Sequence, residues 1–126
     1  MAARGKKNIM KYAILIYSSE DAGPQTEEEM MAEMPQWFAF TEELNQAGKN
    51  LGGEALLPAA TATTVQVRDG KRMTTDGPFA ETKEVLGGFY IIDAADLDEA
   101  LDWAEKIPAS PYGSVEVRPV MEIPGE

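Results

Sequence analysis

The sequence predicts an α+β fold in which two helices cover one face of an antiparallel sheet. Two segments combine helical periodicity with a capping residue at their start, Thr26 for one and Asp96 for the other. Short segments rich in Ile, Val, Leu and Tyr precede, separate and follow these helices, and they have the composition of β-strands. An Asp69-Gly70 pair stands between two such segments, and it is the residue pair that a tight hairpin requires.

The first strand and the first helix come early in the chain. From Lys11 to Tyr17 both alternating sets of side chains are apolar, so both faces of this strand need to be covered. Thr26 followed by Glu29 forms a capping box at the start of a helix. Pro35 either kinks this helix or begins a second one, and Gly48 is the expected left-handed residue after its end. The predicted apolar stripe of this helix consists of Met30, Met34, Trp37, Thr41 and Leu44.

The middle of the chain contains three further strand signals. Leu51 to Leu57 is a weak strand with a bulge at Gly52-Gly53. Thr61 to Arg68 and Lys71 to Thr75 form the two strands of the hairpin. Val85 to Asp93 is apolar on both alternating sets, so we expect it in the middle of the sheet. Its two predicted sets are Leu86, Tyr90 and Ile92 on one face, and Val85, Phe89 and Ile91 on the other.

A second helix and a final strand complete the pattern. Asp96 caps this helix, with Glu99 at the capping-box position, and Pro108 ends it. Ser114 to Met121 reads as a strand with one apolar and one polar face. The element order is βαββαβ with an inserted β-hairpin, which is the ferredoxin-like arrangement. The predicted buried stripe of the second helix is Leu97, Ala100, Leu101, Ala104 and Ile107.

The apolar strands predict a homodimer. Two helices can cover only one face of such a sheet, and an uncovered second face would expose an apolar patch larger than soluble monomers usually carry. We therefore expect two copies to pack sheet to sheet. If Val115 and Val117 face the helices, Glu116 and Arg118 point into the space between the sheets. That space is then a partly polar cavity of the kind that holds a small molecule, with aromatic side chains such as Tyr90 as its roof.

The composition excludes several classes of function. The 126 residues suffice for one domain with a single core, and the net charge of −11 repels phosphate backbones and anionic lipid surfaces. We therefore expect no nucleic-acid partner and no membrane association, since the apolar run from Tyr12 to Tyr17 is also too short for a membrane span.

We divide the chain into a flexible N-terminal extension, residues 1–9, and a single domain, residues 10–124, with Met10 as an alternative start.

The chain contains neither Cys nor His. The lack of Cys excludes disulfides and thiolate chemistry, and it suits a cytoplasmic location. The lack of His excludes the usual general base near neutral pH and the commonest zinc ligand. We expect no metal and no cofactor, and any acid-base chemistry must come from carboxylates, Lys, Tyr or a bound ligand.

The segment from Asp76 to Glu84 reads Asp-Gly-Pro-Phe-Ala-Glu-Thr-Lys-Glu and directly precedes a strand. Over all nine residues it resembles the signature of the DGPFAETKE proteins, within the broader YCII-related group. The resemblance implies a ferredoxin-like domain, a dimeric α/β barrel and a biochemical role that is mostly undefined. It also implies a regulatory setting, since similar members are often encoded beside extracytoplasmic sigma factors. The broader group would bring a His and Asp pair to the cleft, but this chain has no His, so only the motif residues carry over as cleft residues.

The motif supplies the candidate catalytic residues. Asp76 is either a turn residue, which bonds its own backbone before Gly and Pro, or a carboxylate base at the mouth of a strand. Glu84 is the second candidate base. Glu81, Lys83 and Glu84 either adjust the pKa of Asp76 or form exposed salt bridges on a solvated loop.

The candidate ligand-binding residues are Lys83, Tyr90, Glu116 and Arg118. Tyr90 is either a packed strand aromatic or a group that contacts the ligand through its hydroxyl. Glu116 and Arg118 form either an ion pair across the dimer or a site in which Arg118 holds a carboxylate by two hydrogen bonds.

Three functions follow from these residues. The first is a homodimeric protein that binds a small molecule between its sheets and serves regulation. The second is a cofactor-independent enzyme that performs proton transfer or elimination on a small organic acid. Asp76 or Glu84 would be the base, and Lys83, Arg118 and Tyr90 would stabilise negative charge. The third is an adaptor that recognises another protein through its acidic surface.

Overall fold

The computed structural model of the chain describes residues 10–79 and 82–124, and the predicted extension at residues 1–9 lies outside this part. Within the described residues, two α-helices and six strands form an α+β domain, as the sequence predicts. The helices are α1 (Glu27–Gln46) and α2 (Leu97–Glu105). The strands are β1 (Met10–Ser19), β2 (Asn50–Ala55), β3 (Thr63–Arg68), β4 (Lys71–Asp76), β5 (Glu84–Ala94) and β6 (Ser114–Pro119). A short 3₁₀ turn, Ala59–Thr61, precedes β3.

The strands form two sheets. Four of them make an antiparallel sheet in the order β2-β5-β1-β6, which is compatible with a ferredoxin-like domain. The two strands that are apolar on both faces, β1 and β5, lie in its middle, as the sequence predicts. Strands β3 and β4 pair only with each other and form a separate two-stranded sheet.

The hydrophobic core lies between the four-stranded sheet and the two helices. Tyr12, Ile14 and Ile16 of β1 are buried there with Ile92 of β5. The helices contribute Phe40 and Leu44 from α1, and Ala100 and Ala104 from α2. The other face of the sheet has no helix on it, and no other described element covers it. We call this uncovered side the open face.

Local signals set the two ends of α1 where the sequence places them, whereas α2 ends at Glu105, before the predicted end at Pro108. The Thr26 hydroxyl accepts a hydrogen bond from Glu29 N at 3.0 Å, and the Glu29 carboxylate accepts one from Thr26 N, which confirms the predicted capping box. Gly48 has a φ of 73°, as expected for the residue after a helix end. Helix α1 runs through Pro35 without interruption, so the alternative of a second helix starting there is wrong.

The buried side of α1 differs from the predicted stripe. Met30 and Met34 are about half exposed, at 57% and 44%. The core side instead carries Trp37, Phe40 and Leu44. One turn before Trp37 lies a charged residue, Glu33, whose carboxylate accepts hydrogen bonds from Trp37 Nε1 at 2.9 Å and from the Tyr112 hydroxyl at 3.0 Å. These bonds satisfy the Glu33 carboxylate. A charged residue can therefore lie beside the core, one turn before Trp37, where helical spacing would favour an apolar residue.

Other predicted core positions are also exposed. Leu97 and Leu101 have exposures of 49% and 46%, so the prediction that both leucines belong to the buried stripe of α2 is wrong. That helix has nine residues and buries only Ala100 and Ala104, with Trp103 half-buried. The bulky Trp103 ring packs edge-on against Phe40, and this contact sets which side of the helix faces the core.

Candidate functional site

The first half of the motif closes the base of the hairpin. Asp76 is the last residue of β4, is exposed, and pairs with Thr63 of β3. Directly after it, Gly77 N donates to the Ala62 carbonyl at 2.7 Å, with a φ of 98° that favours glycine. The Thr64 hydroxyl donates to the Gly77 carbonyl at 2.8 Å. These bonds close the base of the hairpin directly after Asp76, and both roles of Asp76, the turn residue and the carboxylate base, stay predictions.

The second half of the motif opens β5. Glu84 is the first residue of this strand, is half-buried, and pairs with Ser19 at the end of β1. The Thr82 hydroxyl donates to the Glu84 carbonyl oxygen. The pKa of Asp21 is lowered, mainly by a hydrogen bond from Ser19 and to a smaller extent by the charge of Lys83. Lys83 therefore lies near the turn that follows β1. Glu81, the remaining charge of the motif, lies outside the described residues.

Glu116 and Arg118 lie on the open face. Their register partners in β1 are Leu15 and Ala13, whereas Val115 pairs with Ile16 on the buried face, as the sequence predicts. Arg118 Nε donates to Glu116 Oε2 at 3.1 Å, and this hydrogen bond is the main cause of the raised pKa of Arg118. The two residues therefore form an ion pair within one strand, with Arg118 66% exposed and Glu116 39% exposed.

Tyr90 lies on the opposite face from this ion pair. It pairs with the buried Ile14, its ring packs edge-on against Phe40 at 5.2 Å, and its hydroxyl is 2.7 Å from Thr41 Oγ1. The expectation that Tyr90 roofs the same chamber as Glu116 and Arg118 is therefore wrong. Its side chain instead ties β5 to α1.

The open face has an apolar centre and polar edges. One row across the sheet reads Glu54, Phe89, Leu15, Glu116, and the next reads Gly52, Ile91, Ala13, Arg118. The aromatic residues of this face are Phe89 and Tyr17. Tyr17 also makes a small contribution to the raised pKa of Arg118, which is consistent with their sharing this face. Such a surface can pack against another apolar surface and can hold a compact ligand beside the charges at its edge.

A bulge at Gly87 changes which side chains belong to the open face. The pairing of β1 with β5 passes from Ile16 and Gly88 to Tyr17 and Leu86, so Gly87 is an extra residue in β5. Leu86 therefore lies opposite Tyr17. The predicted grouping of Leu86 with Tyr90 and Ile92 is wrong. The extra residue at Gly87 shifts the alternation of side chains, so Leu86, before the bulge, lies on the opposite face from Tyr90 and Ile92, after it.

A groove lies between the base of the hairpin and the start of β5. It has a volume of about 570 Å³, within the range of small-molecule pockets. Its walls are Ala55, Leu56, Leu57, Pro58, Ala59, Thr61, Ala62, Pro78, Val85 and Leu86. Thr61 is the one polar residue among them, and Leu86 belongs to the open face as well. The sequence analysis does not predict this groove. The sequence feature that corresponds to it is the apolar run from Leu56 to Ala60, ahead of the hairpin.

Two absences can be stated for residues 10–79 and 82–124. Nowhere in these ranges do three Asp or Glu side chains come together in a way that could hold a metal ion. Neither described helix is long and apolar enough to cross a membrane.

Comparison with known proteins places the chain in a family. The family model of the YCII-related domain matches residues 10–124. An uncharacterized protein of Rhizobium meliloti (strain 1021) is 45% identical over 122 residues, which cover 93% of this chain and 98% of that protein. The chain therefore belongs to the family of YCII-related domain proteins.

Proposed function

We propose that the protein is a homodimer that binds a small organic molecule between the open faces of its two sheets, and that this binding serves regulation. The observation that carries the proposal is the open face itself. Leu15, Phe89 and Ile91 form a continuous apolar centre there, and no described part of the chain covers it.

A second copy is the simplest cover for this surface. The central residues are already half-buried by their neighbours, so a facing sheet at a spacing of about 10 Å would complete their burial. Each Å² of apolar surface removed from water contributes about 25 cal/mol, and a symmetric dimer gains this on both copies. The charged residues stand at the edges, where a chamber between the two sheets stays open to water.

The edge residues indicate the ligand class. The Arg118 guanidinium is a planar hydrogen-bond donor, and its partner in the structure is the Glu116 side chain of the same strand. Because Glu116 is exposed, a ligand carboxylate can replace it as the partner of Arg118 at a small cost in free energy. Phe89 and Tyr17 offer flat apolar contacts beside it. We therefore propose a compact aromatic or small organic acid as the ligand.

Sedimentation at micromolar concentration tests the dimer. Leu15→Arg places a charge in the centre of the open face and is expected to give a folded monomer. Leu101→Arg makes the same change at an exposed site on α2 and is expected to leave the dimer intact. A monomeric wild-type protein, or two variants that associate equally, would overturn the proposal.

A thermal-shift screen of small carboxylic and aromatic acids tests the ligand. A ligand at 100 times its Kd stabilises the folded state by about 2.7 kcal/mol, which is a clear rise in Tm. Arg118→Gln is expected to abolish the shift. If a hit is turned over and Asp76→Asn or Glu84→Gln stops the turnover, the enzyme alternative replaces ours. If no compound acts and a pull-down recovers one partner protein, the adaptor alternative does.

A further inference from the structure

The hairpin β3–β4, residues 63–76, projects from the domain as an arm. Its strands pair with each other and with no strand of the four-stranded sheet. The turn at Asp69 and Gly70 has φ values of 54° and 76°, as in the tight hairpin turn that the sequence predicts. An isolated two-stranded hairpin is marginally stable in water, so the arm needs a surface to pack against.

One face of the arm is built for packing. Val65 and Val67 are 57% and 61% exposed, and the register places both on the same side. The opposite side carries Gln66 and Thr75 beside Met73. Fully burying a valine contributes about 1.5–3 kcal/mol, so two exposed valines in a row indicate a missing partner surface.

A surface of the same kind lies at the base of the arm. Around the groove, Leu57 and Phe79 are each 76% exposed, and Leu56 and Leu86 are 46% and 38% exposed. This apolar surface is continuous with the open face, because Leu86 belongs to both.

The charges of the arm favour a second copy as its partner. Its tip carries Arg68, Lys71 and Arg72 against a single Asp69. The whole chain has a net charge of −11, so the approach of another copy to this basic tip is electrostatically favourable. The reach is sufficient, since a strand of six residues extends about 20 Å and packed sheets stand about 10 Å apart.

We propose that the arm of each protomer crosses the dimer interface and lays Val65 and Val67 over the groove of its partner. This inference rests on the proposed homodimer. The groove is then closed by residues of both chains and forms the apolar end of the ligand chamber. It takes the aromatic ring or short alkyl chain of the ligand, while Arg118 holds the acidic group.

Charge substitution on the two sides of the arm tests the contact. The double variant Val65→Asp and Val67→Asp is expected to raise the dimer Kd about tenfold or more, measured by sedimentation. The matched control, Gln66→Asp with Thr75→Asp, adds the same charge to the other side and is expected to change the Kd less than about threefold. Both pairs alter side chains of a solvent-facing hairpin, and circular dichroism verifies that each variant folds.

Disulfide trapping tests where the arm goes. The chain has no Cys, so the double variant Val67→Cys and Leu57→Cys contains only the introduced thiols. Oxidation is expected to give a covalent dimer on a non-reducing gel, and Thr75→Cys with Leu57→Cys is expected not to. A disulfide within one chain would show that the arm folds back on its own domain, which overturns this inference and leaves the homodimer standing. A wild-type protein that is monomeric would remove both proposals together.

Discussion

The variant Tyr90→Phe tests whether Tyr90 is a structural residue or a ligand-binding one. Its hydroxyl lies 2.7 Å from Thr41 Oγ1 on the helix-covered face. Removing it leaves the Thr41 hydroxyl without this partner, so we expect the free energy of unfolding to fall by about 1 kcal/mol. For a domain of this size the corresponding drop in Tm is about 3–5 °C. Binding in the proposed chamber is expected to stay unchanged, because the chamber lies on the other face of the sheet.

A double-mutant cycle isolates this hydrogen bond. Thr41→Val alone is expected to cost a similar amount, because it leaves the Tyr90 hydroxyl without the same partner. The double variant replaces both polar groups by apolar ones, so its loss should be smaller than the sum of the two by about 1 kcal/mol. Urea denaturation followed by circular dichroism measures all four proteins. A coupling energy of zero would refute the structural role, as would a tenfold loss of ligand affinity in Tyr90→Phe at unchanged stability.

Three further perturbations have defined outcomes. Burial and the Glu33 carboxylate raise the pKa of Tyr112 to about 12 from an ordinary value of 10.0, so stability should fall as the pH rises through this interval. Tyr112→Phe should remove that loss, and in ultraviolet titration it should remove a phenol that ionises above the ordinary pKa of 10.0. Gly53→Ala should lower the Tm more than Gly52→Ala. Both glycines have positive φ, but only at Gly53 would the new Cβ clash with a backbone carbonyl of the neighbouring strand. The pKa of Glu99 is lowered from 4.5, mainly by a backbone hydrogen bond, so Glu99→Gln should be less stable than wild type at neutral pH. That difference should vanish as the pH falls through the lowered pKa, and a constant difference in acid would contradict it.

The features that the sequence predicts correctly are those decided within a few residues. The capping box at Thr26 and Glu29 needs only the first turn of α1, and the Asp69-Gly70 turn needs only its own backbone angles. The central places of β1 and β5 also follow from their own composition, since a strand that is apolar on both sets must be covered on both sides.

The features that the sequence does not predict depend on contacts between distant parts of the chain. Glu33 can lie beside the core because Trp37 and Tyr112 donate hydrogen bonds to its carboxylate. Tyr112 is distant from Glu33 in sequence. The side of β5 on which Leu86 lies depends on the bulge at Gly87, which exists only in the pairing with β1. The hydrophobic pattern carries neither kind of information. It also does not say which alternating set of β5 faces the helices, and so the expected position of Tyr90 between the two sheets is wrong.

The motif joins three parts of the proposed site, and this affects how its variants are interpreted. Asp76 and Gly77 close the base of the arm, Pro78 lines the groove, and Glu84 begins the strand that carries Leu86 to the open face. A change at Asp76 can therefore alter the direction of the arm before it alters any chemistry.

A variant at the same base separates these two effects. Thr64→Val removes the 2.8 Å hydrogen bond to the Gly77 carbonyl and leaves every carboxylate of the motif in place. If Asp76→Asn and Thr64→Val weaken ligand binding and dimer affinity in parallel, Asp76 acts by holding the arm. A loss of turnover that follows Asp76→Asn alone, at unchanged dimer affinity, is the result that would identify its carboxylate as a base.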